Sequence, residues 1–145
     1  MGFLSTRQRL FAPSRSRLAF LLVGVFAFVG TEAGRYVYRP YVRSHGLDDF
    51  GLADSVGNLG GIVVQVFLGA AALNCTARQS YRAAAFFAVG YILYEFVQPY
   101  LPKGVFDWKD VVATVVGYGV AVLVLKLVWR RLGGEGSARG RPRED

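Results

Sequence analysis

Four apolar runs, each about as long as a bilayer is thick, limit what this chain can become. They are Leu18–Val37, Val56–Cys75, Ala83–Leu101 and Val111–Val128. A hydrocarbon core of about 30 Å takes roughly 20 residues of helix. The runs are rich in glycine and alanine and show no strand alternation, so each predicts a helix. The expected fold is all-α, an integral membrane bundle of four transmembrane helices. That bundle occupies residues 18–132, after a basic segment, 1–17, and before a small, charged tail, 133–145, read as disordered.

Charge sets the expected orientation. The net charge is +7, and the cations are unevenly placed. Twelve fall on one side of the proposed membrane, at Arg7–Arg17, at Arg78 and Arg82, and from Lys126 to Arg143. Five fall on the other: Arg35, Arg39, Arg43, Lys103 and Lys109. The positive-inside rule then puts both termini in the cytoplasm, with the protein in the inner (cytoplasmic) membrane. A pI of 9.9 would also suit nucleic acid, but beside such apolar runs it points to anionic lipid. Membrane lipid is therefore an expected partner, and nucleic acid is not. Tyr36, Tyr38, Tyr41, Tyr100 and Trp108 fall at the outer boundary as an aromatic belt would, and Trp129 at the inner one. A signal peptide would read Leu18–Val29 as its apolar core. It lacks a small-residue cleavage site, since Glu32 interrupts Gly30-Thr31-Glu32-Ala33. Gly57 and Gly61 form a small-xxx-small pair suited to helix contact.

The polar residues inside these runs carry the functional signal. An ionisable group near the centre of a membrane helix costs roughly 2.5–3.5 kcal/mol on insertion scales, so it marks a candidate site. Asp54, Asn58, Gly61 and Gln65 share one face of the second helix. Tyr91, Glu95 and Gln98 share one face of the third. Asp110, Thr114 and Gly117 share one face of the fourth. Connectivity brings the outer halves of these helices together, with Asp107 in the last turn between them. Glu95 and Gln65 lie deepest and most need partners. A plainer reading has Glu95 and Gln98 bonding helices together through Asn58 or Thr114. Asp107 and Asp110 also suit a helix N-terminus by the macrodipole. Glu32 and Arg35, three apart, suit an ion pair. His45, near Asp48 and Asp49, is read as a solvated loop residue.

Read as E-x2-Q-x8-D-x2-D-V-x2-T-x2-G, residues Glu95, Gln98, Asp107, Asp110, Val111, Thr114 and Gly117 resemble the C-terminal motif of the VanZ-like family. Asp54 and Asn58 fall where that family tends to carry an aspartate and a histidine. Thr114 stands where an asparagine is common, and the turn before Asp107 has no arginine. The resemblance implies a small multi-span bacterial membrane protein. Its founding member is associated with resistance to glycopeptide antibiotics of the teicoplanin type.

Three functions fit these residues. The leading one is a non-enzymatic envelope protein whose acidic and amide cluster (Asp54, Asn58, Glu95, Gln98, Asp107, Asp110, Thr114) binds or excludes a lipid-linked or peptidoglycan-related ligand. No cofactor is expected. The second is an intramembrane enzyme holding Mg²⁺ or Mn²⁺ on Asp54, Glu95 and Asp110. The third is a small transporter or channel, which with four short helices would need a homo-oligomer to enclose a pore.

Overall fold

The first apolar run belongs to a helix much longer than itself. The computed structural model describes residues 15–138, with side chains through Gly133. Arg7, Arg9 and the tail cations Arg139, Arg141 and Arg143 lie outside the described residues. Helix α1 (Arg15–Ala33) passes through a single π turn (Gly34–Tyr38) into α2 (Arg39–Ser44), one helical rod of 30 residues. At 1.5 Å per residue that is about 45 Å, well beyond a hydrocarbon core. The expected end at Val37 is thus too early. The π turn ends two residues before Pro40, with the Arg39 N–H bonded to the Gly34 carbonyl. A proline clashes with the carbonyl four residues back, and the wider turn accommodates it without breaking the helix.

The remaining helices are α3 (Leu52–Ala72), α4 (Ala77–Val97) and α5 (Trp108–Ala138), with a 3-10 turn at Gln98–Tyr100. The described residues contain no strand. Helix α5 continues past Leu132, where the expected membrane domain ends. Three helices, Arg15–Ser44, Leu52–Ala72 and Trp108–Gly133, are long and apolar enough to cross a membrane. Helix α4 is as long as α3, at 21 residues. Its first turns carry Arg78, Gln79, Ser80 and Arg82 and its last carries Glu95, which keeps it out of that group.

Local chemistry sets the turns. After α3, Asn74 adopts a left-handed conformation (φ 49°) and the Cys75 N–H reaches back to the Ala70 carbonyl, 3.0 Å. That is a Schellman closure with asparagine in the glycine position. Thr76 and Gln79 then form a capping box that starts α4. Asn74, Cys75 and Thr76 thus close the end of α3 and start α4.

Helix α3 packs against α1, α4 and α5. At one end of the bundle Phe20 meets Phe67 (5.8 Å between ring centroids) and Trp129 (5.6 Å). There the Trp129 indole donates to Ser80 Oγ at 3.1 Å. The starts of α1 and α4 thus lie beside the ends of α3 and α5, an up-and-down antiparallel arrangement. Trp129 is a partly buried tie between helices rather than an exposed belt residue. At the opposite end Tyr36, Tyr41, Tyr100 and Trp108 are exposed. Large apolar side chains cover the outside, among them Phe26 (82% exposed) and Phe86 (75%). Such a surface suits lipid.

Of the expected glycine pair, Gly61 lies close to a neighbouring helix, where a Cβ would come within 2.8 Å of the Tyr91 hydroxyl, and Gly57 does not. Nothing lies within 4 Å of a Cβ placed at Gly57. Gly60 also meets the side chain of Thr31, and Gly117 meets the Leu59 carbonyl and Ile62. Thr31 turns its hydroxyl to the Ala27 carbonyl, 2.7 Å away, and presents its body to α3.

Candidate functional site

Glu95 sits near the C-terminal end of α4 and is 1% exposed. Asn58, on α3, donates through Nδ2 to Glu95 Oε1 at 3.0 Å. Glu95 Oε2 is buried and has no hydrogen-bond partner. Thr114, on α5, is fully buried, and its Oγ1 also lacks a partner. The Gln98 amide approaches the Glu95 carboxyl, and the Asp110 and Asp107 carboxylates lie within electrostatic reach of it. Thr114 follows Asp110 by four residues, so the two share a face of α5.

The turn between α4 and α5 holds this arrangement. Asp107 caps α5, accepting the Lys109 N–H at 2.8 Å on its side chain and the Asp110 N–H at 3.1 Å on its carbonyl. Gly104 packs directly on the Gln98 carbonyl, where a Cβ has no room. Leu101–Gly104 closes by a 3.0 Å backbone bond, with Lys103 at φ 63°.

Asp54 does not join the cluster. Its Oδ1 accepts Arg39 Nε at 2.8 Å and Arg43 Nη2 at 2.7 Å, and its side chain is 53% exposed. Gln65 is exposed too, on a shallow groove with Gly90, Tyr91 and Tyr94. Of the polar face expected on α3, Asn58 is hydrogen-bonded to Glu95 and Gly61 lies against the Tyr91 hydroxyl of α4, while Asp54 and Gln65 are exposed. Glu32 and Arg35 pair across one turn at 3.3 Å. The His45 ring packs tilted against Tyr41 with centroids 4.3 Å apart, its Nδ1 2.9 Å from the Tyr41 carbonyl. Among the described residues no group of three His, Cys, Asp or Glu side chains is placed to hold a metal ion.

Sequence reasoning missed Arg39 and Arg43 as the partners of Asp54. Their i,i+4 spacing was the available signal. It also missed Asp49, which fastens the loop into α3. Asp49 accepts the Tyr38 hydroxyl (3.2 Å) and the N–H groups of Gly51 (3.1 Å) and Ala53 (2.6 Å). Desolvation pushes its carboxyl up, but these donors outweigh it and hold the carboxyl below the usual carboxylate range.

No family model, curated protein or solved structure matches the chain. What the site can do rests on its own geometry.

Proposed function

We propose that this chain is a non-enzymatic, four-span protein of the bacterial cytoplasmic membrane that binds or excludes an envelope-related polar ligand. Helix α4 makes the fourth crossing, with Arg78 and Arg82 extending to the cytoplasmic interface. Both termini lie in the cytoplasm, by the excess of cations there. Glu95, Asn58, Gln98, Asp107, Asp110 and Thr114 form the ligand cluster, and Asp54 anchors α2 to α3 beside it. The resemblance to the VanZ-like family supports an envelope theme, with glycopeptide resistance as the phenotype to test.

One observation carries the proposal. Glu95 and Thr114 each keep a buried oxygen without a partner, and an unsatisfied polar group in hydrocarbon costs several kcal/mol. A purely structural bond between helices would use both. A ligand offering a hydroxyl or amide N–H would satisfy them.

The test is expression in a teicoplanin-sensitive host. The wild type should raise the inhibitory concentration, Glu95→Gln should lose the effect at equal membrane abundance, and Asp54→Asn should keep it. An unchanged inhibitory concentration with the wild type would remove the resistance theme. Full activity of Glu95→Gln would remove Glu95 from the site.

A further inference from the structure

A cavity lies between the first turns of α3 and α5, and Glu95 does not line it. Its volume is about 300 Å³, at the small end of the range for ligand sites. Leu52, Leu59, Val112 and Val116 wall it, and Trp108 lines it near the start of α5. Lys109 and the loop residues Asp49–Gly51 close one end.

Two polar groups break this apolar lining. Ser55 is 4% exposed, and its Oγ is buried without a hydrogen-bond partner. Lys109 forms no ion pair with any described residue. Its side chain lies against Gly51, where a Cβ would come within 2.8 Å of Nζ. The one carboxylate at the cavity, Asp49, is already engaged by Tyr38, Gly51 and Ala53. Those donors are neutral and leave Asp49 ionised, so the lining carries one charge of each sign, and the Lys109 ammonium is the one of the two still able to meet an anion. The opposite end is aliphatic. From Leu52 to Leu59 the wall spans about 10 Å of helix.

We propose that this cavity binds an anionic membrane phospholipid. The Lys109 ammonium takes the phosphate, the Ser55 hydroxyl donates to an ester carbonyl, and one acyl chain lies along Leu59, Val112 and Val116. The Lys109 ammonium favours an anionic headgroup, and the aliphatic side chains of Leu59, Val112 and Val116 offer a wall for one acyl chain. Trp108, 62% exposed, belongs at the headgroup level where indoles concentrate. Lipid binding here requires insertion in a membrane but not a ligand at Glu95, so either can fail alone.

Trp108 and Trp129 are the two tryptophans of the chain, which gives a direct probe. A Trp129→Phe protein reconstituted in bilayers reports on Trp108 alone. Dibrominated phosphatidylglycerol should quench it with an apparent affinity about fivefold above dibrominated phosphatidylcholine, the factor expected for one lysine at a charged surface. Lys109→Gln and Val116→Phe should abolish the preference. Lys103→Gln, which removes a cation from the same end but outside the cavity, should keep it. Equal quenching by the two lipids, or a preference that survives Lys109→Gln, overturns the proposal. If Trp129→Phe fails to fold, lipid mass spectrometry of the otherwise wild-type protein gives the same comparison. Phosphatidylglycerol retained over phosphatidylcholine, and lost in Lys109→Gln, supports the site, and equal retention refutes it.

Discussion

Asn58 holds one oxygen of Glu95 at 3.0 Å and leaves the other bare. The pair joins α3 to α4, and the bare oxygen is the atom that the proposed ligand would satisfy. Stability and function should therefore come apart. Asn58→Leu strands a buried carboxyl and should cost about 1–3 kcal/mol of stability in detergent. Adding Glu95→Leu should recover much of that loss, because removing both partners of a buried bond can be nearly neutral. Any rise in inhibitory concentration that the wild type gives, as proposed above, should be absent in the double variant. Thermal unfolding and inhibitory concentration, measured on the same proteins, check both halves.

Asp54 gives the opposite expectation. It takes two guanidinium bonds but is 53% exposed. Exposed ion pairs contribute about 0–1 kcal/mol and weaken with salt. Asp54→Ala should lower stability by no more than that. The difference from the wild type should shrink as salt is raised toward about 1 M. A loss as large as that of Asn58→Leu would show that Asp54 has a buried role.

The glycines divide by their neighbours. Gly117→Ala drives a methyl group into the Leu59 carbonyl and Ile62, and should cost about 1–3 kcal/mol. Gly57→Ala meets open space within a helix and should gain about 0.5–1 kcal/mol. Unfolding midpoints of the two variants should fall on opposite sides of the wild type.

Acid should loosen the loop into α3. The Asp49 carboxyl lies lower in the folded protein than in the unfolded chain, so its contribution is complete above the unfolded value, about 3.9. It is lost as the pH falls through the folded value. The stability difference between wild type and Asp49→Asn should be constant from about pH 7 to pH 5 and close below about pH 4. A difference that persists at the lowest pH would take the role away from the ionised carboxyl.

The apolar runs made the helical class legible, because length and the absence of alternation leave few other folds. The Asn58–Glu95 contact was legible as one of two options, since depth and connectivity place both residues in the same half of the bundle. The capture of Asp54 was not. Ending the first helix at Val37 turned Arg39 and Arg43 into loop charges, and nothing in composition signals a π turn ahead of Pro40. Ser55 was beyond reach for a different reason. A serine one turn into a helix is ordinary, and its burial depends on where α5 lies, which no local pattern encodes. Gly57 and Gly61 matched a spacing rule, yet only Gly61 of the two approaches a neighbour, Tyr91 on α4, and Gly60 makes the approach to α1, because the rule fixes a period and not which side of the helix meets which partner.

The π turn at Gly34–Tyr38 has a consequence for how the chain can change in length. Such a turn houses one residue more than an α turn does, and the α-helix resumes beyond it with little change of phase. Deleting a single position from it would convert the segment to plain α-helix while Thr31 still met Gly60 and the two arginines still reached Asp54. A single deletion elsewhere between Ala27 and Ser44 would rotate the arginines about 100° away. Tolerance of shortening should therefore be confined to the π turn itself.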